Sequence, residues 1–183
     1  MFPPKPHQLS LLLDVLIRLN IRFILVQGVA PPELQKLARD KIQGSDYADK
    51  AMLIQWANQY GVLSHEGTGW FLTHGGSNST MEGLRTRTPM YQVWISSSLS
   101  QSHKVGYEFI QIRNGPNIGK VTARTPNTVV EGTNEAIEKE FMDVFGNLNN
   151  DFGDEIRRNV ERVGDEVDDD EIAREGWKEI MGL

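Results

Sequence analysis

The run Gly69-Trp70-Phe71-Leu72-Thr73-His74-Gly75-Gly76-Ser77-Asn78-Ser79-Thr80 constrains this chain more than any other stretch. A short apolar segment, ending at Thr73, reads as a strand. A polar loop with adjacent glycines follows, His74 to Ser79, and then a helix from Thr80 to Arg85. Strand, glycine loop and helix start in this order is how α/β proteins build an anion site. Free backbone N–H groups and the positive helix end converge on one spot, and glycine lets a phosphate come close. The loop matches neither G-x-x-x-x-G-K-[ST] nor G-x-G-x-x-G, so nucleoside triphosphatase, kinase and NAD readings find little support.

Around this run, strands alternate with helices. His7 to Leu19 is a largely buried helix, its polar stripe formed by Ser10, Asp14 and Arg18, with Asp14 and Arg18 an i,i+4 pair. Phe23 to Val26 is a continuous apolar run, as for a strand covered on both faces. Pro31-Pro32 opens a helix through Ile42. Ala51 to Trp56 is the next strand, Gln59 to Leu63 a short helix or turn, and Met90 to Ile95 a fourth strand. Ser100 to Ile110 reads as a helix, and Gly115 to Pro126 as a loop. Thr133 caps a helix through Phe145. In the tail Ile156, Val160, Val163 and Val167 recur at helical spacing, and a last helix carries Ile172, Trp177, Ile180 and Met181. The pattern predicts a Rossmann-like, doubly wound parallel sheet over residues 1–148, with acidic helices of the same domain over 149–183.

Charge separates the same two regions. The net charge of −6 is a property of the tail: residues 151–183 hold 12 acidic and 5 basic residues, and the remainder sits at +1. The body has no basic face for nucleic acid, so anion recognition must be local. No apolar run reaches the roughly 18 residues of a membrane span. The N-terminal residues lack a signal-peptide pattern, and a cytoplasmic location is the expectation. There is no cysteine, so thiolate metal sites and cysteine nucleophiles are excluded. The four histidines show no metal-ligand spacing with carboxylates, and no G-x-S-x-G elbow is present.

A nucleoside diphosphate needs an apolar face for its base, acceptors for its ribose and neutral or positive donors for its phosphates. Trp56, at the end of a strand, offers an indole for stacking; taken alone, a tryptophan is more often a core residue. Gly75, Gly76, Asn78 and Ser79 offer diphosphate donors, or else form a tight turn and a cap. Ser79-Thr80-Met81-Glu82 fits a capping box, so by spacing Glu82 is first a cap partner and second a ribose acceptor. His74 would donate to an anion, or serve the structure.

These residues resemble the donor-binding signature of family-1 UDP-glycosyltransferases. That signature reads W-x-P-Q, L-x-H, an apolar strand, H-x-G-x-N-S-x-x-E and a late proline. Trp56, Gln59, Leu63, His65, Phe71-Leu72-Thr73, His74, Gly76, Asn78, Ser79, Glu82 and Pro89 match it in register over 35 residues. His-Gly-Gly-Ser-Asn and Gly-Pro-Asn-Ile-Gly-Lys are similar to fungal members. The resemblance implies the C-terminal, donor-binding half of a GT-B enzyme whose sheet lacks its first strand. It implies uracil stacked on Trp56 and a ribose contact from Gln59. It further implies diphosphate contacts from His74, Gly76, Asn78 and Ser79, and ribose hydroxyls on Glu82. UDP-sugar is then the donor substrate, with no metal and no separate cofactor.

Departures are informative. Asn58 replaces the family proline, leaving that turn less rigid. Ser77 stands where a sugar-facing group is common. Arg87 replaces the glycine before the late V-P. Of the acidic residue and glutamine that grip the sugar, only Gln101 has a counterpart. The acceptor domain and its catalytic histidine have no counterpart, so no catalytic residue is assigned in this chain. Three readings follow: the donor half of a hexosyltransferase, a UDP-sugar-binding subunit that needs a separate acceptor subunit, or a non-catalytic remnant.

Overall fold

The computed structural model describes residues 4–92, 98–113, 117–122 and 125–168. Its helices are α1 (Pro6–Arg18), α2 (Pro32–Gln43), α3 (Gln59–Leu63), α4 (Ser77–Arg85), α5 (Asn134–Gly146) and α6 (Asp151–Asp168). Its strands are β1 (Phe23–Val26), β2 (Ala51–Ile54), β3 (Phe71–Thr73), β4 (Met90–Gln92), β5 (Gly106–Glu108), β6 (Val121–Thr122) and β7 (Thr125–Val129). A π-helical turn, Ser98–Ser102, precedes β5. The chain forms two compact units, Met1–Ala57 with Glu131–Asn147, and Asn58–Val130 with Leu148–Leu183.

In the first unit β1 and β2 pair in parallel, from Phe23 against Ala51 to Val26 against Ile54. One face of this pair packs on α1 and α2 through Leu9, Leu13, Leu34 and Ala38, against Phe23, Leu25 and Leu53. The other face carries Ile24, Val26 and Met52, which are 47%, 51% and 56% exposed. The expected burial of β1 on both faces is therefore corrected to an alternating pattern, since this unit supplies helices to one face only. Pro6 and Pro32 sit in first helical turns, where a missing N–H costs nothing. The expected Asp14–Arg18 pair is also replaced. Asp14 accepts from Lys41 of α2 at 2.5 Å, and Arg18 pairs with Glu138 of α5 at 2.7 Å, so both charges tie helices together. Thr133 caps α5 as its sequence predicts, its Oγ1 accepting from Ala136 N–H at 3.1 Å.

The second unit holds a parallel sheet in the order β3-β4-β5. Among the described residues the parallel strands fall into two sheets, β1-β2 and β3-β4-β5. β4 is central and wholly buried. Leu84, Met90, Leu99, Val105, Val160, Val163 and Val167 make the core between sheet, α4 and α6. The four-three-four spacing in the tail is therefore a core stripe. Arg157 of α6 lies 5.1 Å from the centre of the Trp70 ring, which itself stacks on Tyr91 at 4.8 Å. Burial pushes the Tyr91 hydroxyl well above the usual tyrosine range. The expected helix over Ser100–Ile110 is corrected to the π turn and β5, because pairing with β4 decides the conformation of Gly106–Glu108. The expected loop over Gly115–Pro126 holds instead β6 and the start of β7, an antiparallel pair. The last predicted helix, with Trp177 and Ile180, lies outside the described residues.

Candidate functional site

Thr73 ends β3 as a buried residue, and its Oγ1 accepts the Gly75 N–H at 3.2 Å. This short bond turns the chain out of the strand. Gly75 takes φ +83°, a left-handed conformation that L side chains disfavour, which explains the first glycine of the pair. Gly76 has an ordinary φ and is in close contact for a different reason. A Cβ there would sit 2.8 Å from Nε2 of His74 and 3.1 Å from its Cε1. The imidazole thus lies directly over the Gly76 backbone.

Gly76 is the N-cap of α4, and its carbonyl accepts the first helical bond, from Thr80 N–H at 2.9 Å. The helix starts at Ser77 instead of Thr80. No side chain caps it. The amides of Ser77, Asn78 and Ser79 therefore have no intrahelical partner and stand at the positive end of the helix dipole. Ser77 and Asn78 are exposed and Ser79 is half-buried. The S-x-x-E box does not form: Ser79 is the third residue of α4, and Glu82 lies inside the helix.

Glu82 has another partner. Gln59 Nε2 donates to its Oε2 at 2.7 Å and lies 3.4 Å from Ser79 Oγ. An ionised carboxylate only accepts, so the Gln59 amide nitrogen must face it. Among the described residues no donor reaches Gln59 Oε1 or Glu82 Oε1, which leaves both as acceptors. A vicinal diol, with two O–H donors, is the complement of that pair. α3 is held at both ends. Asn58 Oδ1 accepts Gly61 N–H at 3.1 Å as its N-cap, so the residue that replaces the family proline stiffens the turn by capping it. At the far end Leu63 carbonyl accepts from Thr88 Oγ1 at 3.2 Å.

The second unit thus brings Gln59, Ser79 and Glu82 into one hydrogen-bonded group, and His74, Gly76, Ser77 and Asn78 into one loop and helix start. Trp56 belongs to the first unit, two residues beyond β2, with 78% of its surface exposed. The core reading of this indole is set aside. Gln101 is an exposed residue of the π turn and lines an open cavity of about 420 Å³ with Lys104, Tyr107, Glu108 and Phe152, a group that includes none of the loop residues. Sequence reasoning missed the Thr73–Gly75 bond and the Gln59–Glu82 bond. The adjacent glycines signalled the first; nothing local signals the second, which spans 23 residues. Among the described residues no cluster of His, Asp or Glu is placed to hold a metal ion.

The geometry defines a class: an α/β unit with parallel strands, presenting an uncapped helix start beside a hydrogen-bonded Gln59–Glu82 pair. Comparisons with known proteins bear on the fold and the family. The family model described as UDP-glucoronosyl and UDP-glucosyl transferase matches residues 36–97. UDP-glycosyltransferase eriJ of Hericium erinaceus is 30% identical over 161 residues, covering 80% of this chain and 30% of that protein. UDP-glycosyltransferase 74B1 of Arabidopsis thaliana is 56% identical over 66 residues, covering 32% of this chain and 14% of that protein. Among solved structures, a variant of Os79 from O. sativa in complex with UDP superposes with a TM-score of 0.65 at 19% identity, over 97% of this chain and 39% of that one. A UDP-glucosyltransferase from Polygonum tinctorium gives 0.64 at 24% identity, over 98% and 39%. The fold is that of the Rossmann-like half of GT-B glycosyltransferases. The chain belongs to the UDP-glycosyltransferase family and spans about a third or less of the length of these curated relatives.

Proposed function

We propose that this chain binds the donor of a UDP-dependent hexosyltransferase, and that the complete enzyme moves a hexose from UDP-sugar to an acceptor hydroxyl. The observation that carries the reading is the Gln59–Glu82 pair beside the uncapped start of α4. The two free acceptor oxygens take the ribose hydroxyls. The Ser77, Asn78 and Ser79 amides, with the His74 imidazole, take the diphosphate. By the sequence motif, the exposed Trp56 indole stacks on the uracil.

In the reaction the acceptor oxygen bonds to the anomeric carbon while the bond from that carbon to the β-phosphate oxygen breaks. UDP leaves with the electron pair, and the acceptor proton passes to a base. This chain contributes stabilisation of the charge that builds on the leaving diphosphate, through N–H groups already oriented before the reaction. The base belongs to an acceptor domain or separate acceptor subunit. The donors named here are hydrogen bonds and a helix dipole, so binding is expected to persist in EDTA.

Calorimetry tests the reading. UDP should bind with a dissociation constant in the micromolar to low millimolar range, and Trp56→Ala should weaken it about tenfold, the scale of one lost stacking contact. Absence of heat at millimolar UDP would sink the reading. A non-catalytic donor-binding subunit gives the same heats, and is told apart by a copurifying acceptor subunit.

A further inference from the structure

We propose that Arg87 is a positioning residue for the anion site at the opposite end of α4: it locks the helix to α6 and so sets where the Ser77–Ser79 amides and Glu82 stand. The inference rests on the donor-site reading for its function, and on four structural observations for its geometry.

First, α4 ends in a Schellman motif. Arg87 N–H donates to Leu84 carbonyl at 3.0 Å and Thr88 N–H to Gly83 carbonyl at 2.8 Å. The residue between these bonds must be left-handed, which is why glycine is usual there. Arg87 takes φ +55° without being glycine. A side chain kept at a position that disfavours side chains must be held by what it touches.

Second, all three nitrogens of its guanidinium have partners. Nη2 lies 2.8 Å from Asp165 Oδ1 and 2.9 Å from Asp168 Oδ2, and Nε lies 3.0 Å from Asp165 Oδ1. Nη1 donates to Arg85 carbonyl at 3.0 Å, closing the last turn of α4. One planar group therefore joins the C-terminus of α4 to two carboxylates one turn apart on α6.

Third, α6 is in backbone contact at the same place. A Cβ on Gly164 would lie 2.6 Å from Leu84 carbonyl oxygen and 2.8 Å from Arg87 Cγ. Fourth, the inner side of α4 packs through Leu84 on Val160, Val163 and Val167 of α6. Packing of apolar surfaces permits small sliding along the helix axis. The directional contacts of Arg87 do not. A nine-residue helix transmits an axial shift at one end to the other, about 13 Å away.

Arg87→Gly and the double variant Asp165→Asn with Asp168→Asn test this. Glycine relaxes the left-handed backbone while removing the clamp, so its melting temperature should stay within about 3 °C of the parent. In the free protein, the amide resonances of Ser77, Asn78 and Ser79 should shift in both variants, while those of α1 stay in place. UDP affinity should fall about 3- to 10-fold in both, the scale of coupling through a packed element. The exchange Arg87→Asp with Asp165→Arg restores a clamp of opposite polarity and should return the amides toward their parent positions. Unmoved Ser77–Ser79 amides in a folded Arg87→Gly protein overturn the inference. So does a shift in Arg87→Gly that the double asparagine variant does not share. Failure of the parent chain to bind UDP overturns the donor reading alone, and the amide shifts then decide the positioning role.

Discussion

Glu82→Ala is expected to weaken UDP binding about 30-fold while changing the stability of the chain by less than about 0.5 kcal/mol. The binding effect follows from what the carboxylate offers. Its Oε2 accepts from Gln59, and its Oε1 remains as a charged acceptor for a ribose hydroxyl. Hydrogen bonds to charged groups are worth about 1.5–3 kcal/mol, and about 2 kcal/mol corresponds to a 30-fold change. The small stability effect follows from position. The Gln59–Glu82 bond is exposed, and alanine suits the interior of α4 at least as well as glutamate. Glu82→Gln separates charge from hydrogen bonding. It keeps one acceptor and removes a negative charge from near the diphosphate, so its loss should be only about fivefold. Calorimetry with UDP and with UMP measures both. The ribose assignment fails if Glu82→Ala binds UDP like the parent, or if the loss seen with UDP is absent with UMP, which carries the same ribose.

The glycine loop and the free amides of the α4 start were legible because their determinants are local. Two adjacent glycines, a preceding strand and a following helix suffice to place free amides near one another, whatever the rest of the chain does. The family resemblance then assigned ligand groups to residue numbers. What local reasoning misjudged is decided by distant partners. Ser79-x-x-Glu82 has the letters of a capping box, yet Gly76 takes the cap and Gln59 takes the glutamate. Asp14 and Arg18 have helical spacing, yet each pairs with a different helix. Ser100 to Ile110 reads locally as a helix, yet Gly106–Glu108 within it form β5 because β4 offers a strand edge. Arg87 could be seen only as a departure from the family glycine. Its left-handed backbone and its two carboxylate partners, 78 and 81 residues away, are tertiary facts.

Gly106→Ala is expected to destabilise the second unit by about 3 kcal/mol, near the upper end of overpacking effects. Gly106 faces Met90 in the parallel register of β4 and β5. A Cβ at Gly106 would lie 2.2 Å from Met90 carbonyl oxygen and 3.0 Å from its carbonyl carbon. Both are backbone atoms of the central strand, and Met90 is completely buried. Neither can rotate away, so β5 must withdraw from β4, stretching the bond from Met90 N–H to Val105 carbonyl, already 3.3 Å long. For a chain of this size 1 kcal/mol corresponds to about 2–4 °C, so the melting temperature should fall by roughly 6–12 °C. Gly146→Ala is the matched control. Nothing lies within 4 Å of its added methyl, it stands in the last turn of α5, and it should leave the melting temperature unchanged or slightly raised. A melt of Gly106→Ala within about 2 °C of the parent would show that β5 does not approach β4 at this register. Below its transition Gly106→Ala should still bind UDP like the parent, since β3, which feeds the glycine loop, lies on the far side of β4. The same substitution thereby separates what stabilises the sheet from what holds the ligand.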